Sequence, residues 1–263
     1  MQRTDSSRIS ETIARLFLRA ETMLPPEIGM KIECASEKPA ESEAGRSVLS
    51  ALLEHFIHCG MTGTRLCPNT EEAVVCAVYG KDCRFSPSLL TDAIKLGIKN
   101  AYRDQPAQPV PAIHIAQGPG SALHLTVQPR SGTASFAWQS PANSIDSKVF
   151  TIWLMDLLKQ QRGLLPFPVF LGIGISTAAD AAKVLADTAL LHYMDQTNVH
   201  PDCATLETRL LLASQHLGFG PDGLPGRQAV LGVRVNADNL FDETSCCAVK
   251  IAPALLRRAE AVL

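Results

Sequence analysis

Apolar residues in this chain form two kinds of run, and the clearest example of each lies near the middle. Val169–Ile175 is a continuous apolar run of strand length, which is typical of a strand buried on both faces. Ala178–Leu191 consists largely of strong helix formers. Between them the pattern predicts a glycine-containing turn, Gly172–Thr177, that delivers backbone N–H groups to a helix N-terminus, where an anion can bind. A well-packed strand, turn and helix without any ligand is equally compatible with this pattern.

The remaining apolar periodicity predicts further helices and strands in alternation. Polar residues 35–45 indicate a surface loop, and the proline-rich residues 105–111 indicate a connector. Because the alternation lacks regular βαβ spacing, we expect an α/β fold of mixed α+β type, with mixed sheets covered by helices, in one domain over residues 1–263. The predicted helices span about 10–22, 46–58, 86–103, 146–161, 204–217 and 253–262; the predicted strands span 73–79, 112–116, 122–128, 133–138, 229–235 and 246–251.

Composition narrows the class of protein without identifying a chemistry. The 263 residues are 46% apolar and 19% charged, with a formal net charge of −2, as in an ordinary soluble globular protein. This balance gives no electrostatic footprint for nucleic acid or for an anionic membrane. The polar first residues contain no signal peptide, and no apolar run is long enough to span a bilayer. The eight cysteines contain no CxxC pair, so we expect reduced thiols in a cytoplasmic protein rather than disulfides or a zinc site.

Common catalytic and nucleotide-binding motifs are incomplete. Gly172-x-Gly174-x-x-Thr177 is close to a dinucleotide fingerprint, but Thr177 replaces the third glycine and no strand is predicted after the helix. The glycine cluster 218–226 lacks the GK[ST] ending of a phosphate-binding loop, which favours a structural loop. No GxSxG motif is present, so triad chemistry has no support.

Four segments, read in order, carry a resemblance to a known family. GTRLCPNTEEAVVCAVYGKD resembles a segment around C-Q-D-T-G, and PAIHIAQGPGSALHLTVQPRSGTAS is similar to a strand pair leading into P-K-G-G-G-S-E-N. LGIGISTAADAAKVLADTALL and LGFGPDGLPGRQAVLGVRV resemble a G-x-G-I-G-G-T unit and an L-G-I-G-P-x-G-L-G-G-K-T-T-A-L-G-V segment. From about Ile9 to Arg258 the chain therefore resembles the α subunit of the iron–sulfur hydro-lyases, the class I fumarases and L-tartrate dehydratases. The resemblance implies a fumarase class I α-type domain, with the family's β domain absent from this chain.

The resemblance implies a [4Fe–4S] cluster held by three cysteines, and only one of them is present here. Cys67 stands at the first position, whereas Pro166 and Pro253 stand at the second and third. Cys246 and Cys247 precede Pro253 by six or seven residues, which is roughly 20 Å along an extended strand. Because one thiolate cannot hold a cubane, we expect no cluster and interpret Cys67 as a relic of a cluster ligand.

The positions that the resemblance assigns to substrate binding are also changed. Asp-Thr-Gly is replaced by residues 69–71, the lysine and acid–amide pair by Arg130 and residues 135–136, Lys-Thr-Thr by residues 227–229, and Thr-His by residues 240–241. We assign no catalytic residue. Arg130 and Arg227 are equally compatible with anion binding and with ordinary surface arginines. The candidate residues of the ancestral cleft are Asn69, Thr70, Arg130, Gly172, Gly174, Ser176, Thr177 and Arg227.

Two functions from different classes follow from this pattern. The first is a fumarate/tartrate dehydratase α-subunit-like protein that has lost its cluster and its hydro-lyase activity and acts as a binding, regulatory or assembly partner. The second is an active carbon–oxygen hydro-lyase α subunit that works with a separate β subunit. Losses at several independent positions favour the first. The expected partners are a second copy of the chain or a β-subunit-like protein, together with a small carboxylate ligand.

Overall fold

The computed structural model describes residues 2–82, 86–139, 147–238 and 246–263, with the side chains from Ser6 onward. Contacts divide the chain into two compact units, each assembled from separate stretches of sequence. Unit 1 comprises Met1–Pro25, Phe56–Ser131 and Arg257–Leu263, and unit 2 comprises Pro26–His55 and Gly132–Leu256. The expectation of a single domain stays a prediction.

The helices and strands alternate along the chain as expected. None of the described helices is long and apolar enough to cross a membrane. In chain order the elements are α1 (Gln2–Thr22), α2 (Pro26–Ser36), α3 (Glu43–Thr62), β1 (Glu72–Gly80), α4 (Pro87–Ala101), β2 (Val110–Gly118), β3 (Leu123–Arg130), β4 (Ala134–Gln139), α5 (Ser147–Gln160), β5 (Val169–Ser176), α6 (Ala179–Ala189), α7 (Pro201–Ser214), β6 (Val230–Ala237), β7 (Cys246–Pro253) and β8 (Ala259–Val262).

Unit 1 is a four-stranded sheet covered by α1 and α4. The strand order is β2-β1-β3-β8, in which β1 is parallel to β2 and antiparallel to β3, and β8 is antiparallel to β3. The two helices approach closely at Gly97, where an added Cβ would lie only 2.6 Å from the Cβ of Ile13. Their apolar faces and the sheet form one buried core.

Unit 2 is a second mixed sheet, of order β4-β7-β5-β6, with helices on both faces. β5 is antiparallel to β7 and parallel to β6. Its residues Val169, Leu171, Ile173 and Ile175 belong to the large core formed with α5 and α7. The alternate residues of β5 face α6, which explains why this strand is a continuous apolar run in the sequence.

The mixed α/β architecture is confirmed, and three local predictions are wrong. The predicted helix over 253–262 is the end of β7 followed by β8, because residues 259–262 pair with β3. The loop predicted over 35–45 is shorter in the structure, because α2 ends at Ser36 and α3 begins at Glu43, and Glu41 within it is buried. The predicted turn Gly172–Thr177 lies mostly inside β5, which runs to Ser176. Cys83, which is one of the eight cysteines, the first residue of the helix predicted over 146–161, and residues 240–241 lie outside the described residues.

Candidate functional site

The loop after α3 places Cys67, Asn69 and Thr70 together in unit 1. The Cys67 thiol is half-buried, 3.1 Å from the carbonyl oxygen of Asn69 and 3.5 Å from Ser131 Oγ. The Ser131 hydroxyl donates a hydrogen bond to the same Asn69 carbonyl. These hydrogen bonds therefore link the Cys67 loop to Ser131, which directly follows Arg130 at the end of β3.

Beneath this loop lies a buried ion pair that sequence reasoning missed. The side chains of Glu21 and Arg257 are 2% and 1% exposed, and the guanidinium binds Glu21 Oε2. Glu21 Oε1 accepts hydrogen bonds from Tyr102 Oη at 2.7 Å and Thr70 Oγ1 at 2.6 Å. Burial and the neighbouring Glu21 carboxylate raise the pKa of Tyr102 well above its ordinary value, so this phenol stays protonated.

This ion pair also fixes the Cys67 loop. Arg257 Nη2 donates to Ser131 Oγ at 3.0 Å, and the backbone N–H of Leu66 donates to the carbonyl oxygen of Glu21 at 2.7 Å. The loop is thus held on both sides of Cys67 by Glu21 of α1 and by Arg257, which precedes β8. The sequence signal that could have pointed to this pair was the adjacent arginines Arg257 and Arg258.

Arg130 is one of the two predicted anion-binding candidates, and it is a buried residue. It is 3% exposed, its Nε donates to Gln128 Oε1 at 2.6 Å, and its Nη1 lies 3.6 Å from Glu72 Oε2. The alternative of a surface arginine is therefore wrong. The other candidate, Arg227, does have an exposed side chain and belongs to unit 2.

The glycines of β5 allow α6 to pack closely against the strand, and they do not lie in a turn. A Cβ at Gly172 would lie 2.4 Å from the carbonyl oxygen of Ala186, and one at Gly174 would lie 1.9 Å from that of Ala182. Only hydrogen atoms on these Cα positions allow the helix to approach this close. The prediction that both glycines lie in a turn is wrong, because both lie inside β5, and their role in ligand binding stays a prediction.

The end of β5 places Ser176 and Thr177 before α6, as expected, but in different environments. Ser176 is 2% exposed and donates a hydrogen bond to Asp238 Oδ2 at 3.0 Å. Thr177 is exposed. The carboxylate bound at this end of β5 is thus the side chain of Asp238.

Two further positions, where the resemblance implies cluster ligands, lie at one end of the sheet of unit 2. Pro253 pairs with Val169 in the β5–β7 ladder, and Pro166 precedes Val169 by three residues. Cys246 and Cys247 pair with the opposite end of β5, about 20 Å away along β7. A proline ring offers no donor atom to iron, so the residues present do not fit a three-cysteine [4Fe–4S] site. Among the residues described, no group of three or more His, Cys, Asp and Glu side chains could hold a metal ion.

Comparisons with known proteins agree with the resemblance. The model of the Fumerase family, described as fumarate hydratase, matches residues 10–262. A protein of Methanocaldococcus jannaschii named "Putative L(+)-tartrate dehydratase subunit alpha" is 25% identical over 251 residues, which cover 86% of this chain and 87% of that protein. The "L(+)-tartrate dehydratase subunit alpha" of Escherichia coli (strain K12) is 39% identical over 70 residues, or 27% of this chain and 23% of that one. The family prediction is confirmed.

Proposed function

Because the chain belongs to the Fumerase (fumarate hydratase) family, we propose that it is an α-type member that has lost the [4Fe–4S] cluster and the hydro-lyase reaction. It acts instead as a binding, regulatory or assembly partner. A hydro-lyase of this kind needs a Lewis-acidic iron to withdraw the hydroxyl group and a positioned base to remove the adjacent proton. Without the iron, several kcal/mol of transition-state stabilisation disappear, which corresponds to several powers of ten in rate.

One observation carries this proposal. Pro166 and Pro253 lie at the same end of the β5–β7 strand pair, which is the arrangement expected of two ligands of one cluster. The backbone that would present these ligands is in place, but neither side chain has a donor atom. The thiols nearest in sequence, Cys246 and Cys247, lie at the other end of β7.

The partner role is supported by what the chain has kept. The loop of Cys67 keeps its hydrogen bonds to the buried Glu21–Arg257 pair although the ligand set is broken. Both named relatives are α subunits. We therefore propose that this chain pairs with a β-subunit-like protein or with a second copy of itself. We also propose a reducing, cytoplasmic compartment, in which the cysteines stay as free thiols.

Reconstitution with iron tests the loss of the cluster. Protein incubated anaerobically with iron and sulfide should remain colourless and bind no stoichiometric iron. The matched control is the double variant Pro166→Cys/Pro253→Cys, which restores the second and third thiols. Wild-type protein that takes up about four irons per chain with a visible charge-transfer band would refute the proposal.

Activity measurements test the loss of the reaction. The chain should neither hydrate fumarate nor dehydrate malate or tartrate, with or without added iron and sulfide. Turnover that survives further purification and disappears in Cys67→Ala would show that the argument from missing ligands is wrong.

A single observation favours the second candidate, an active α subunit that needs a β subunit. The loop that contains Cys67 keeps its hydrogen bonds to Glu21 and Arg257. Co-expression with a β-subunit-like protein distinguishes the two functions. Activity that appears only in the co-purified complex supports the second candidate, whereas an inactive complex supports the first.

A further inference from the structure

A buried carboxylate occupies the glycine-rich loop of unit 2. Glu41 lies in the short link between α2 and α3 and is 3% exposed. Its Oε2 accepts hydrogen bonds from the backbone N–H groups of Arg227 and Gln228, at 3.1 and 3.0 Å. Two adjacent amides that converge on one oxygen form a receptor for an anion.

The surrounding glycines leave space for this carboxylate. An added Cβ would lie 1.9 Å from Glu41 Oε1 at Gly226, 2.3 Å from it at Gly45 and 2.5 Å from it at Gly220. The φ of Gly220 is −132°, which lies outside the positive-φ region that favours glycine. The small residues at these positions therefore accommodate the carboxyl group rather than a strained backbone.

The carboxylate is only half satisfied. Glu41 Oε1 is buried and has no hydrogen-bond partner among the described residues. The link itself is held by Arg46, whose Nη1 donates to the carbonyl oxygen of Glu41 at 2.7 Å. A buried oxygen without a partner is costly, so withdrawal of Glu41 into water recovers part of the energy lost with its two amide hydrogen bonds.

A groove of about 430 Å³ in unit 2 shares one residue, Gln228, with this pair of amides. Gln228 lines the groove and also supplies one of the two amides, which makes the groove the candidate entry to the receptor. Lys31 and Lys38 bring positive charge to its walls, Glu27 and Asp195 bring negative charge, and Val230 belongs to its apolar part. Its volume suits a small organic acid.

We propose that the amides of Arg227 and Gln228, with Gly220 and Gly226, form a carboxylate-binding site that the chain fills with its own Glu41. A small external carboxylate that enters through the groove binds by displacing Glu41. The apparent affinity of such a ligand is reduced by the small fraction of molecules in which Glu41 is withdrawn. This inference does not depend on whether the cluster has been lost.

The variant Glu41→Ala tests the site by emptying it. Calorimetric titration with acetate and with succinate should show at least tenfold tighter binding to Glu41→Ala than to the wild type, because no side chain has to be displaced. Glu37→Ala, which removes an exposed acid from the same link, should bind as the wild type does. Adding Gly226→Val to Glu41→Ala should abolish binding, since its side chain fills the space of the carboxylate.

Two results would overturn the inference. Equal affinity of the wild type and Glu41→Ala shows that Glu41 does not compete, and no carboxylate binding to a folded Glu41→Ala shows that Glu41 is only a structural link. If Glu41→Ala does not fold in buffer, its refolding yield is compared in acetate and in chloride at equal ionic strength. Recovery in acetate alone supports the site, and equal yields overturn it.

Discussion

Replacement of Arg257 by methionine is the sharpest test of the network beneath the Cys67 loop. The guanidinium is 1% exposed and is the positive partner of Glu21, whose side chain is 2% exposed. Arg257→Met keeps a long apolar side chain but leaves the carboxylate, among the described residues, with the hydroxyls of Tyr102 and Thr70 as donors. The perturbation therefore removes a charge without opening a large cavity.

The expected cost follows from the geometry. Breaking a buried ion pair by removing one partner costs about 3–5 kcal/mol, because the remaining charge is buried and uncompensated. Glu21→Met leaves Arg257 buried without its negative partner. It also removes the acceptor of the Tyr102 and Thr70 hydroxyls, which adds about 1–3 kcal/mol for a buried donor. The double variant removes both charges of this pair, so neither is left buried without the other. Its loss of stability should be several kcal/mol smaller than the sum of the two single losses.

Urea unfolding followed by circular dichroism measures these free energies, and the alkylation rate of Cys67 reports on the loop. Arg257→Met should raise that rate, since Ser131 loses the hydrogen bond from Arg257. Arg103→Met is the control, because its side chain is 77% exposed and its stability should stay within about 0.5 kcal/mol of the wild type. A loss below 1 kcal/mol in Arg257→Met, or additive single losses in the cycle, would refute the reasoning.

Three further outcomes are expected. Gly174→Ala should destabilise the protein by about 1–3 kcal/mol in denaturant titration, because the added Cβ has no space. Gly29→Ala is the control and should be neutral or stabilising, since Gly29 is helical and a Cβ there would have no atom within 4 Å. Equal effects of the two substitutions would contradict the packing argument. Burial raises the pKa of Cys247 from 9.0 to about 12, so the contribution of its protonated thiol to the free energy of unfolding is complete below pH 9. Between pH 9 and 12 this contribution falls by up to about 1.4 kcal/mol per pH unit. Cys247→Ala should therefore lose stability less steeply with rising pH than the wild type, and an equal slope would argue against this. In native protein a thiol reagent should modify exposed Cys34 before buried Cys203, as peptide mass mapping can check.

The sequence by itself determined the family, the class of fold and most elements. The run Val169–Ile175 is apolar at every position because helices cover both faces of its sheet, and that pattern is readable without coordinates. The prolines at 166 and 253 are equally readable, because a missing donor atom is a property of the residue and not of its surroundings.

Tertiary structure alone decided how the polar and glycine residues are used. Gly174 favours a turn when judged locally, yet in the fold it lies in β5, where the carbonyl oxygen of Ala182 leaves no space for a Cβ. Residues 259–262 form a strand only because β3 offers an edge for pairing. Glu21 and Arg257 are 236 positions apart, and Glu41 meets Arg227 across 186. The local pattern of apolar and polar residues does not predict such partners, because a buried charge is stabilised by whichever group the completed fold brings to it.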